Sequence, residues 1–101
     1  MPFNFESLRV LVVEDNQHMR HLIGQVLRAM GVGTILLAEN GSRALQMSRT
    51  ERPDIMITDW LMDPMDGLEL TRAIRRDPQN PSRLVPIILM TGYSSHTRVT
   101  S

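Results

Sequence analysis

Four short apolar runs, Arg9 to Val13, Thr34 to Ala38, Asp54 to Thr58 and Pro86 to Met90, alternate with stretches of helical periodicity. This alternation limits the chain more than any other feature. The first run, Arg9-Val-Leu-Val-Val13, is β-branched and nearly continuously apolar, as suits a central strand buried on both faces. After it, Met19, Leu22, Ile23, Val26, Leu27 and Met30 recur at intervals of three, four and seven. That spacing predicts a helix with one apolar stripe, stopped at Gly31. Asn40-Gly41 breaks the second strand and leads to a weaker helix over about Ser42 to Thr50, ended before Pro53. Asp66 with Glu69 resembles a capping pair for a helix through about Arg76, with Leu70, Ala73 and Ile74 inward. Pro78 and Pro81 mark a loop before the fourth run. The order β-α-β-α-β-α-β predicts an α/β fold, a parallel sheet with helices on both faces.

In such sheets ligands sit beyond the carboxyl ends of the strands. Glu14 and Asp15 follow the first strand, Asp59 the third, and Thr91 the fourth. Residues distant in sequence are thus expected to meet at one edge. Taken singly, Asp15 reads as a helix cap and Asp59 as a solvated loop acid. Together they repel, raising one another's pKa unless a cation neutralises them. The three histidines stand apart from this set, and cysteine is absent, so an all-oxygen site favours a hard ion. Mg²⁺ fits best, because it takes one or two carboxylates and leaves room for phosphate oxygens. The Thr91 hydroxyl and the Gly92 amide suit a phosphoryl anion. Asp59, at the end of the middle run, is the expected acceptor of a phosphoryl group as an acyl phosphate.

Composition narrows the alternatives. The 101 residues suffice for one domain, and 42% hydrophobic with 22% charged residues is ordinary for a globular chain. Eleven basic residues balance eleven acidic ones. That balance gives no support to nucleic acid or an anionic membrane as partner. No run approaches the roughly 20 apolar residues of a membrane span, and the N-terminus has no signal-peptide pattern; the expected location is cytoplasmic.

The ordered set Val10 to Asp15, Asp59 with Met65-Asp66-Gly67, and Met90-Thr91-Gly92 resembles the receiver (CheY-like) domains of two-component response regulators. Met19-Arg20 and Trp60 look more specifically like the chemotaxis type. The resemblance implies a flavodoxin-like sheet of order 2-1-3-4, with residues 1–8 as an extension and 9–101 as the receiver. It implies direct Mg²⁺ coordination by Asp15, a water-mediated share for Glu14, and a dual role for Asp59 as ligand and phosphoacceptor. The Leu61 backbone carbonyl would complete the protein's share of the shell, and Thr91 would sense the phosphoryl group. The donor would be a histidine kinase or phosphotransfer protein, and the domain a self-catalysing switch rather than a metabolic enzyme.

Three departures qualify that resemblance. The family carries a lysine after a fifth strand, whereas all eleven basic residues here are arginine. A fifth strand, a last helix and their loops would need roughly 20–30 further residues, so the expectation is a receiver truncated before that lysine. The fourth strand, 86–90, would then be an unpaired apolar edge, inviting a homodimer or element swap. The rival expectation is a receiver-like interaction module that takes no phosphate. Second, proline falls at Pro64 rather than at Asp63, which preserves the loop length but leaves its path open; Asp63 reads as a solvated acid, the alternative being that it adds negative charge near the metal and strengthens cation binding. Third, Leu61 and Tyr93, which in the family flank the path of the hydrolytic water, are apolar here, implying slow self-dephosphorylation. An EF-hand loop is excluded by the spacing of Asp59, Asp63 and Asp66, and a Mg-dependent phosphohydrolase by the lack of an acid two residues after Asp59. His18 and His21 read as a solvated helix face, and Arg72, Arg75 and Arg76 as a solvated helix end.

Overall fold

The computed structural model describes residues 4–91. The strands are β1 (Arg9–Val13), β2 (Thr34–Ala38), β3 (Ile55–Asp59) and β4 (Ile87–Met90), and the helices α1 (Gln17–Ala29), α2 (Gly41–Thr50) and α3 (Gly67–Arg76). All strand pairs are parallel, in the order β2-β1-β3-β4. The flavodoxin-like arrangement expected from the sequence is the one observed. Each helix starts at an Asx cap. The side chains of Asn16, Asn40 and Asp66 accept from the N–H groups of Met19, Arg43 and Glu69, and Asp66 and Glu69 form a reciprocal capping box. Gly31, at φ 94°, supplies the left-handed residue that releases the chain from α1 toward β2.

β1 is the structural centre. Its side chains alternate between two apolar clusters, one on each sheet face. Leu11 and Val13 join Met56 of β3, Ala44 and Met47 of α2, and Leu70 and Ile74 of α3. Val10 and Val12 join Leu27 of α1 and Val32 on the opposite face, with Ile23, Ile55 and Ile57 packed against them. The single apolar stripe expected of α1 is split by this packing. Ile23 and Leu27 pack inward, whereas Met19, Leu22, Val26 and Met30 are 42–53% exposed. The periodicity marks an apolar face wider than the strip of sheet it covers.

Residues 4–8 are an integral part of the fold. A 3-10 turn at Phe5–Ser7 is followed by Leu8, which packs on the α1-side cluster, and the Gly33 and Thr34 N–H groups donate to the Phe5 and Leu8 carbonyls. β3 begins one residue later than the sequence suggests, because the Asp54 carboxylate accepts from the Arg9 N–H at 2.8 Å instead of extending the strand. Arg75, expected to be solvated, donates to the Arg83 and Val85 carbonyls at 2.8 and 2.7 Å and so folds the α3–β4 loop back on its own helix.

That loop is fixed by a buried polar cluster joining α2 to the approach to β4. The Asn80 side-chain amide donates to Ser48 Oγ at 2.9 Å, its carbonyl accepts from the Ser82 N–H at 2.8 Å, and Ser82 Oγ donates to the Ser48 carbonyl at 2.6 Å. Ser48, Asn80 and Ser82 are at most 4% exposed, so removing one partner leaves the others unsatisfied out of water's reach. Asn80→Ala is therefore expected to destabilise the fold by about 1–3 kcal/mol in urea denaturation, and Gln79→Ala, on the exposed side of the turn, by far less.

Candidate functional site

β1 and β3 are neighbours pairing Val13 with Thr58, so the residues that follow, Glu14 and Asp59, emerge side by side. Carboxylate oxygens of Glu14, Asp15 and Asp59 lie within 4.8 Å of one another. They line a cleft of about 590 Å³ together with Asn16, Leu61, Met62, Asp63 and Asp66. The sequence-predicted ligand set is thus brought together.

The three acids sit in different surroundings. Glu14 is 4% exposed, Asp59 is half-buried and Asp15 is exposed. Glu14 is held by its backbone N–H, which donates to the Ala38 carbonyl at 3.1 Å, and by Glu14 Oε2, which accepts from the Asn16 N–H at 3.0 Å. Burial pushes the Glu14 carboxyl up to about 7, and the neighbouring Asp59 and Asp15 act in the same direction against the lowering bond from Asn16. Such a cluster lacks positive charge. Its all-oxygen donor set and an open wall toward solvent fit a hard divalent ion that retains water.

The loop after β3 completes the wall. The Leu61 N–H donates to Asp59 Oδ1 at 3.3 Å, bringing the Leu61 main chain beside the carboxylate. The loop closes where the Gly67 N–H donates to the Trp60 carbonyl at 2.9 Å. A Cβ at Gly67 would press against the Asp59 carbonyl oxygen and Trp60 Cα, so this close approach requires glycine. Asp63 lines the cleft, joined to Pro64 by a cis peptide. Met62, 8% exposed, anchors the loop in the core.

Thr91 directly follows β4, whose last residue, Met90, pairs with Asp59; the Trp60 N–H donates to the Met90 carbonyl at 3.0 Å. Thr91 therefore stands at the same sheet edge, but it is not among the residues lining the cleft. Gly92 and Tyr93 lie outside the described residues. Asn16 was not singled out from the sequence, although an Asx residue just before a helical period is a readable cap signal. Its N–H contact with Glu14 is not readable in this way, because it depends on how the turn is folded.

The raised Glu14 carboxyl makes stability pH-dependent. The folded state holds this proton more tightly than the unfolded chain, so stability falls as pH rises from about 4.5 to about 7 and stays low above that. In metal-free buffer, Glu14→Gln should melt several degrees above wild type at pH 8, with the two curves converging near pH 4.5. An equal offset at both pH values in a thermal melt would contradict this assignment.

A sequence model of the response regulator receiver domain matches residues 10–101. The chemotaxis protein CheY of Pseudomonas aeruginosa is 30% identical over 92 residues, spanning 91% of this chain and 73% of that protein. A protein-glutamate methylesterase/protein-glutamine glutaminase of Halobacterium salinarum is 40% identical over 75 residues; the match takes in 74% of this chain but 22% of the larger protein. Among solved structures, the chemotaxis response regulator CheY4 of Vibrio cholerae superposes with a TM-score of 0.75 at 28% identity, covering 91% of this chain and 75% of its own.

Proposed function

The chain belongs to the response regulator receiver family, and from that premise we propose that it is a Mg²⁺-dependent phosphoacceptor switch with Asp59 as the acceptor. The reading is carried by the crowding of Glu14, Asp15 and Asp59 at one sheet edge, with the buried Glu14 carboxyl raised by burial and by its acidic neighbours. Asp15, Asp59 and the Leu61 carbonyl would hold the ion directly, and Glu14 through water. When bound, Mg²⁺ supplies charge neutralisation between the acceptor and the transferred group.

The chain's own part is acceptance and placement. An Asp59 carboxylate oxygen attacks the phosphorus of a phosphohistidine on a histidine kinase or phosphotransfer protein. The P–O bond forms as the P–N bond breaks, and the departing imidazole takes up a proton. The Leu61 N–H donates to Asp59 Oδ1 and helps to orient the acceptor carboxylate. Thr91, on the adjacent strand end, would turn its hydroxyl to the new phosphoryl oxygens, with the Gly92 amide as a second donor. Water later cleaves the acyl phosphate, making the domain a switch that resets itself rather than a metabolic enzyme. A cytoplasmic setting fits this role, and among the described residues no helix is long and apolar enough to cross a membrane.

Incubation with a small phosphodonor and Mg²⁺ should add one phosphoryl group by intact mass. The gain should be absent with a chelator and in Asp59→Asn. A wild-type chain that gains nothing would leave the fold as an interaction module and sink the acceptor role.

We also propose self-association of this chain through β4. Among the described residues its outer side pairs with no strand, and Ile88 is 49% exposed. Such an edge is a template for another strand. Light scattering should give a weight-average mass that rises with concentration; a constant monomer mass would overturn the pairing.

A further inference from the structure

The turn from β1 to α1 comprises only Glu14, Asp15 and Asn16, yet it carries two of the three clustered acids. Asp15 is exposed, so its position depends on the backbone on either side of it. That backbone is braced from within α1. Arg20 Nη1 donates to the Glu14 carbonyl at 2.8 Å, while the Arg20 N–H donates to the Asn16 carbonyl at 2.9 Å. A single residue thereby grips both ends of the turn.

The orientation of Arg20 is informative. It is a half-buried cation beside an acidic cluster, yet it forms neither of the ion pairs among the described residues, which join Arg9 to Glu51 and Arg49 to Asp77. Its guanidinium is turned to the main chain of Glu14 instead of to a carboxylate. A buried guanidinium bonded to a carbonyl holds that carbonyl's direction, and so the direction in which the next residue leaves the strand.

We infer that Arg20 is a positioning residue for the metal site, fixing the turn that presents Glu14 and Asp15 through its bond to the Glu14 carbonyl. The inference rests on the reading of the acidic cleft as a Mg²⁺ site. It acts against the simple charge effect, which gives the test its sign. A positive charge near the cleft repels Mg²⁺, so if charge were all that Arg20 contributed, neutralising it would tighten binding. Loss of positioning weakens it instead.

The experiment is Mg²⁺ titration by the fluorescence of Trp60, which follows the acceptor directly and is 41% exposed. Each variant is measured at a temperature where circular dichroism shows it folded. Arg20→Met should weaken Mg²⁺ binding about tenfold, the lower range for residues that orient metal ligands. Arg20→Lys, which keeps a donor for the carbonyl, should restore most of the affinity. In an Asp15→Asn background the Arg20→Met penalty should shrink, because the ligand being positioned is already impaired. Arg20→Leu serves as a second uncharged variant without a donor, with the same loss expected if Arg20→Met does not fold. Unchanged or tighter binding in the uncharged variants, or an undiminished penalty in the Asp15→Asn background, overturns the inference. A wild-type chain with no saturable Mg²⁺ response overturns the metal-site reading itself, and the role of Arg20 with it.

Discussion

Mutual repulsion among Glu14, Asp15 and Asp59 is the constraint around which the rest of the molecule is arranged. Carboxylates free to move would separate, but these are tied to the ends of two strands whose register leaves no choice. Val13 pairs with Thr58, so Glu14 and Asp59 must emerge together. The consequence shows most clearly at Glu14, whose carboxyl is pushed up to about 7, first by burial and then by its acidic neighbours. A protonated glutamic acid is one way to relieve the crowding, and a divalent cation is another. Either would lower the negative charge held between the two strand ends. The folded chain tolerates the strain because β1 is packed on both faces and cannot shift to relieve it.

The two connections that frame the cleft achieve placement differently. The β1–α1 turn is short, and its order comes from nearby bonds: the Asn16 cap on Met19, the Asn16 N–H on Glu14 Oε2 and the Arg20 grip on the Glu14 carbonyl. The β3–α3 loop is longer, and its order comes from packing. Met62 is buried in the core, and the loop is pinned where Gly67 meets Trp60 with no room for a side chain. β4, which carries Thr91 to the same edge, is set at its far end by Ser48, Asn80 and Ser82.

Strands, helices and their order were legible because each run carries its own evidence: β-branched residues in a row, a helical period, a cap or a breaker. The site followed from them, since a parallel order brings successive strand ends to one edge whatever the details of packing. Less accessible was anything that depends on a partner far along the chain. Ser48, Asn80 and Ser82 are ordinary polar residues until folding brings α2 against the α3–β4 loop. Arg75 looks like a solvated helix end until its loop turns back onto it. The stripe on α1 fails in the opposite direction. Apolar spacing identifies which residues can be buried, but Leu22 and Val26 stay exposed because the sheet beneath α1 covers only part of that face. The family resemblance supplied roles that no spacing could supply, among them the one expected of the Leu61 carbonyl.

Asp63 illustrates how position decides what one more charge does. An acid added beside Glu14 would deepen the repulsion in a buried setting, where Coulomb terms are weakly screened. Asp63 instead stands exposed on the cleft wall, beyond the Leu61 and Met62 segment. Water and salt screen it from buried Glu14, so it adds little to the crowding there. Its charge still extends the negative potential of the cleft mouth, where an approaching cation meets it first. On the Mg²⁺ reading, the clustered acids would set how strongly the site needs a cation, and Asp63 would influence how readily a cation arrives. That separation follows from the shapes of the two connections: the braced turn can hold charge in place against repulsion, whereas the longer loop can carry it outward where repulsion is weak.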